Sequence, residues 1–136
     1  MLRLRVVTAL AITAIALLGI FMLPATGFAL LAGAVLPLLG GWEAARLAGV
    51  DRQAIRWLYG LGLAGLAAII HVLAPAPGLL LSIACLLWLI NFAWLSRPGL
   101  GRSGTAAVIA FKLLMLGCIL LAAWLGLSLL QARSPW

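Results

Sequence analysis

The fold class the sequence predicts is all-α: a polytopic membrane protein of about five transmembrane helices with a cytoplasmic amino terminus. Three observations carry this. Of the 136 residues 67% are apolar and a further 15 are glycine, while only 8% are charged. Soluble domains hold roughly 45–50% apolar residues even with glycine included, and about 25% charged. The apolar residues also form continuous blocks separated by turn residues, without the period-two alternation of barrel strands. Finally, the basic residues recur at every second connection between blocks. There is too little polar material to cover a water-soluble fold, and disordered chains are poor in apolar residues. One membrane-embedded unit over residues 1–136 is expected, with spans near 6–23, 26–47, 57–74, 79–95 and 106–130.

The first block, Val6–Leu23, is 18 residues without a charge. At ~1.5 Å per residue it reaches about 27 Å, close to the ~30 Å hydrocarbon core. Arg3 and Arg5 precede it. Its length and the apolar block that follows favour a signal anchor over a cleavable secretory signal. The second block begins near Thr26 and continues as an interfacial turn from Trp42 to Leu47. Pro37 removes the hydrogen bond to the carbonyl of Gly33 and is expected to bend the helix. Ala29 and Gly33 form a small-xxx-small pair for close helix approach. Gly49 should stop this helix and Asp51 should cap the next.

The third block, Trp57–Ala74, offers Gly60, Gly62, Ala64 and Gly65 as a packing face. No strand precedes these glycines and no lysine follows them, as a nucleotide loop requires, so the packing face is the favoured reading. Pro75, Ala76, Pro77 and Gly78 form a tight uncharged turn before the fourth block, Leu79–Leu95. A polar, glycine-rich loop from Ser96 to Thr105 follows, and Ser103 or Thr105 should cap the fifth block.

Nine basic residues against two acidic give a net charge of +7. They form no run or stripe, so the sequence does not support nucleic acid as a partner. With the amino terminus inside, the interior segments hold Arg3, Arg5, Arg46, Arg52, Arg56, Arg97 and Arg102. Arg133 is the exterior charge, and Lys112, ~9 Å into the fifth span, is placed to snorkel inward. Seven arginines on one side are the positive-inside signature. Trp42, Trp57, Trp94 and Trp136 fall at span ends, where an aromatic belt belongs.

Few residues offer chemistry. Glu43 and Asp51 are the only carboxylates in the chain. Two acids can hold magnesium with help from phosphate, but pairing of Glu43 with Arg46 one turn on, and capping by Asp51, is the favoured reading. His71, the only histidine, lacks partners for a metal site or proton relay and reads as interfacial. Asn91 is expected to bond across to a neighbouring helix, worth about 0.6 kcal/mol in membranes. Cys85 and Cys118 lie inside apolar blocks and read as small hydrophobes; neither a disulfide framework nor a zinc site is supported. No catalytic constellation and no metal site is expected in the chain. What remains is a cytoplasmic belt around Trp42, Glu43, Arg46, Arg52 and Arg56, suited to lipid headgroups and phosphate.

The opening run Arg5, Val6, Val7, Thr8, Ala9 and Leu10, resumed at Phe21, Leu23 and Pro24, resembles that of bacterial phosphatidate cytidylyltransferases, or CDP-diacylglycerol synthases. The likeness is sharpest at Trp42, Glu43, Ala45, Arg46, Leu47, Ala48 and Gly49. Ser134, Pro135 and Trp136 look like the lead into that family's next span. Ala44 departs from relatives that often carry an aromatic there. The resemblance covers nearly the whole chain but about half of a full-length member. It implies a bacterial inner-membrane protein of phospholipid biosynthesis. In that reaction the phosphate of phosphatidic acid attacks the α-phosphorus of CTP, pyrophosphate leaves and CDP-diacylglycerol forms. Such a reaction needs a divalent cation, Mg²⁺ in a full-length member, to neutralise the triphosphate. The family's signature is a Lys-Asp pair, a His-Gly-Gly and closely spaced aspartates in the carboxyl-terminal half. None of these is present here: no Asp or Glu follows Asp51, and His71 is followed by Val72 and Leu73. The resemblance thus implies a non-catalytic amino-terminal portion: a truncated frame, a fragment or part of a split enzyme. Its partners would be phosphatidic acid, a carboxyl-terminal catalytic half or a second copy of itself, with CTP entering in the full-length protein. The competing reading is a small multi-pass transporter subunit or assembly partner. Proton coupling, however, usually requires an acid within the bilayer.

Overall fold

The computed structural model describes residues 2–73, 77–96 and 104–133. Five helices follow the five apolar blocks: α1 (Leu2–Met22), α2 (Ala25–Ala48), α3 (Gln53–Leu73), α4 (Pro77–Leu95) and α5 (Ala106–Arg133). No strand occurs among the described residues. Helices α2, α3 and α5 are long and apolar enough to cross a membrane, and α1 and α4 contribute the shorter apolar stretches Thr13–Met22 and Gly78–Trp94. The chain is an all-helical membrane protein. Arg3 and Arg5 fall within the first turns of α1 rather than ahead of it. Arg97, Arg102, Ser103 and Trp136, and the turn residues Pro75 and Ala76, lie outside the described residues.

The heart of the bundle is α2, α3 and α5. Phe28, Ala32, Ala67 and Trp124 form its buried cluster. Inside a membrane there is little hydrophobic drive between helices, so association rests on close packing and interhelical hydrogen bonds. Both are present. Trp124 is buried, and its indole N–H donates to the Ala29 carbonyl at 2.9 Å. A Cβ on Gly33 would sit 3.5 Å from the same indole nitrogen. The small pair Ala29 and Gly33 therefore makes room for a tryptophan from α5. Gln131 Nε2 donates to the Leu23 carbonyl at 3.0 Å and Tyr59 Oη to the Leu113 carbonyl at 2.5 Å. These pairings set α5 antiparallel to α2 and parallel to α3, the alternation expected of consecutive membrane crossings.

Pro37 does not simply kink α2. The helix widens to a π-helical stretch over Ala34–Gly40 with Pro37 fully buried inside it. A proline ring collides with the carbonyl four residues back and has no N–H to give; a wider turn removes the collision without ending the helix. Against this stretch lies Gly60 of α3, where a Cβ would fall 2.5 Å from the Leu38 carbonyl oxygen and 3.3 Å from the Trp42 nitrogen. The expected glycine face is thus narrower than its sequence. Gly60, Leu63 and Ala67 are buried, whereas Gly62 and Gly65 have nothing within 4 Å of an added Cβ. At helical spacing Gly62 and Gly65 point away from the line through residues 60, 63 and 67.

Candidate functional site

The candidate belt is assembled where α2 turns into α3. Gly49 adopts φ +99°, a left-handed conformation that costs glycine little and other L-residues about 1–2 kcal/mol. Gly49 N–H donates to the Arg46 carbonyl at 3.1 Å and Val50 N–H to the Ala45 carbonyl at 3.0 Å. This pair of bonds is a Schellman closure of the helix end. Ala44, Ala45 and Ala48 are buried behind it, and Gly41 lets the helix meet Gly60 at close range. The departure at Ala44 therefore falls at a buried contact, where a small residue suits the tight hairpin.

On this frame Arg46 pairs with Glu43, Nη2 to Oε1 at 2.9 Å, with side chains 55% and 40% exposed. Trp42 and Trp57 bring their rings to a centroid distance of 5.8 Å. Arg56 Nε donates to the Val50 carbonyl at 2.6 Å, bracing the turn. Asp51 is exposed and does not occupy the cap. Arg52 does, its carbonyl accepting from the Ile55 and Arg56 amides at 3.1 and 3.2 Å. The carboxylate of Asp51 sits one residue too early to act as N-cap, although it still lies near the positive end of the α3 dipole. The structure therefore gathers Trp42, Glu43, Arg46, Arg52 and Arg56 on one hairpin. Arg46 and Arg52 are exposed and Arg56 is half-buried. Trp42 Nε1 is buried without a partner among the described residues.

Away from the hairpin, Asn91 Nδ2 reaches Met115 Sδ on α5 at 3.6 Å and also its own Leu87 carbonyl at 3.3 Å, so the expected cross-helix bond is shared. Trp94 meets Phe111 edge-on at 5.4 Å. Thr105 stands at the start of α5, its carbonyl accepting from Ile109 at 3.0 Å. His71 is exposed, with its ring 6.4 Å from that of Trp124. Cys85 and Cys118 are free thiols. The residues that sequence reasoning missed are Tyr59 and Trp124, each a polar donor holding two helices together, and Gln131, which ties α5 to the turn between α1 and α2. One signal was available, since Tyr59 is the only tyrosine and lies within an apolar block, and a buried Tyr or Trp donor inside a membrane usually finds a partner.

Comparison with known proteins gives one informative match. A phosphatidate cytidylyltransferase of Pseudomonas aeruginosa is 40% identical over 134 residues, covering 96% of this chain and 48% of the relative. The chain thus spans about half the length of the curated relative it matches, and the resemblance to that family is borne out. No family model matches the chain, and no solved structure matches it.

Proposed function

We propose that this chain, a relative of a phosphatidate cytidylyltransferase, forms a non-catalytic membrane portion of such an enzyme. It would cross the bacterial inner membrane five times, amino terminus inside, and set the α2–α3 hairpin at the inner leaflet. The observation that carries the reading is the hairpin. The segment on which the resemblance was read, Trp42–Gly49, ends in a closed turn that leaves Arg46 and Arg52 exposed at one end of the bundle. An arginine fork binds a phosphate bidentately through parallel N–H donors. Arg46 spends one nitrogen on Glu43 and keeps the remaining donors for an anion. In this role Arg46 and Arg52 hold the phosphate of phosphatidic acid, and the Trp42–Trp57 pair fixes the depth of the hairpin in the interface.

On this reading the chain itself holds no magnesium ion. Glu43 is committed to Arg46, and no group of three His, Cys, Asp or Glu residues comes together among the described residues. Any metal-dependent step, and the binding of CTP, belongs on this reading to residues beyond those of this chain. They would be supplied by a carboxyl-terminal catalytic half against which the spans pack.

The decisive experiment reconstitutes purified 1–136 in vesicles containing phosphatidic acid and supplies CTP and Mg²⁺. No pyrophosphate should be released; measurable release would overturn the division of labour. Phosphatidic acid retained on the purified chain should fall about tenfold on Arg46→Gln with Arg52→Gln, the size expected from losing charge-assisted hydrogen bonds. Unchanged retention would remove the headgroup role.

A further inference from the structure

The 28 residues of α5 rise about 42 Å at ~1.5 Å per residue, well beyond the ~30 Å hydrocarbon core of a bilayer. Two cations lie on this helix, the half-buried Lys112 and the exposed Arg133 in its last turn. Residues 113–132 between them carry no charge and rise about 30 Å, the length that one crossing needs.

Neighbouring residues mark the same two levels independently. Phe111, next to Lys112, meets Trp94 edge-on at 5.4 Å, and the Leu113 carbonyl accepts from Tyr59 Oη at 2.5 Å. Tryptophan and tyrosine gather at the headgroup boundary. At the other end, Gln131 Nε2 donates to the Leu23 carbonyl at 3.0 Å, in the turn where α1 gives way to α2. A turn breaks the run of backbone hydrogen bonds and belongs outside the hydrocarbon. Lys112 thus stands at one boundary of the core and Arg133 at the other. Residues 106–111 project past the first boundary into the headgroup layer, on the side of the hairpin.

Lys112 has no counter-charge within its own chain. Glu43 and Asp51 are the only acidic side chains; Glu43 holds Arg46, and Asp51 stands exposed on the connection between α2 and α3. No ion pair or hydrogen bond to the Lys112 ammonium occurs among the described residues. A cation at the edge of a low-dielectric slab calls for a partner. Side chains on a helix lean toward its amino terminus, so the Lys112 stem carries the ammonium away from the core and up to the headgroup phosphates. We propose that Lys112 binds the phosphate of an anionic phospholipid in the leaflet at the hairpin end, and that residues 113–132 are the part of α5 that crosses the hydrocarbon. The site does not depend on the headgroup role given to Arg46 and Arg52.

Lys112 is the only lysine of the chain, so isotopic labelling of lysine at Nζ gives a single side-chain signal. The full chain is placed in vesicles of a phosphorus-free glycolipid with a minor share of phosphatidylglycerol, and nitrogen–phosphorus dephasing is recorded by solid-state NMR. Dephasing should report a separation of about 4 Å, as a charge-assisted hydrogen bond to a phosphate oxygen requires. Phosphatidylcholine at the same share should give about fivefold less, one basic residue's attraction for an anionic surface. Inorganic phosphate in place of the phospholipid should give none. The contact should survive Arg46→Gln with Arg52→Gln, which separates this site from the hairpin. In the same sample, magnetisation from water should reach Ala107 and Ala110 but not Leu116 or Leu120. Absence of phosphorus dephasing, equal dephasing by phosphatidylcholine or inorganic phosphate, or loss of the contact in the arginine variant would overturn the site. Dephasing of Nζ by labelled Glu43 or Asp51 carboxylates from a second copy of the chain would do the same, and water transfer to Leu120 would overturn the register of α5.

Discussion

Helices α2 and α4 solve the same problem in opposite ways. In α2 the residues Phe28, Ala29, Ala32, Pro37, Gly41, Ala44, Ala45 and Ala48 are buried. In α4 no described residue is, and Trp88, Leu89 and Phe92 stand 60%, 66% and 70% exposed. Both helices are apolar, so apolarity does not decide which of them forms the core. Side-chain size does: lipid tails satisfy a leucine as well as another helix can, whereas only small residues let backbones approach closely enough for packing and hydrogen bonds to count. The distribution agrees, since α2 is rich in alanine and glycine where α4 is rich in leucine.

The largest effect that can break this contrast is at Gly60. Gly60→Leu must push the Leu38 carbonyl away and separate α3 from α2, costing about 3 kcal/mol or more, in the range of severe overpacking. Gly62→Leu, two residues along and facing open space, should stay within about 0.5 kcal/mol. Unfolding in bicelles measures both, and equal losses would show that helix propensity rather than close approach governs α3. Next in size is Trp124→Phe, which keeps the ring and removes the bond to Ala29. A loss of about 1 kcal/mol is expected by the same measurement, and no change would reduce that bond to a by-product of packing. On α4, Phe92→Ala should cost less than about 0.5 kcal/mol. A loss as large as that of a buried aromatic would mean that α4 is covered by protein rather than lipid. The smallest effect is at the hairpin, where Glu43→Gln should change stability by about 0.3 kcal/mol, as for an exposed helical ion pair. The same change frees Arg46, so retention of phosphatidic acid should rise.

Much of this was legible in the sequence because the bilayer leaves the chain few options. Continuous apolar blocks must be helices, and Gly49, Pro24 and the glycine-rich loop after Ser96 can only end them, so the helix order and most boundaries follow directly. The Glu43–Arg46 pair was equally local, fixed by three-residue spacing. What could not be read was everything that depends on azimuth between helices. Gly60 and Gly62 look alike in the sequence, yet one touches a backbone carbonyl and the other touches nothing. Arg52 and Arg56 look like a matched pair, yet Arg56 turns back to Val50. The cap passed from Asp51 to Arg52 because the Schellman closure ends α2 at Ala48 and the tight connection starts α3 only at Gln53. The role of Trp124 required knowing that α5 crosses α2 at Ala29, a separation of 95 positions along the chain.

The widened stretch around Pro37 acts as a phase shifter. Each residue of an ordinary helix advances the azimuth by about 100°, so the wider turn rotates everything after it relative to everything before. Below the stretch α2 offers Ala29 and Gly33 to Trp124 of α5, and above it Gly41 to Gly60 of α3. One rod thereby serves two neighbours on different sides. Deleting Val35 alone would reset that azimuth and swing Trp42 and Arg46 away from α3, detuning the hairpin without altering any residue in it.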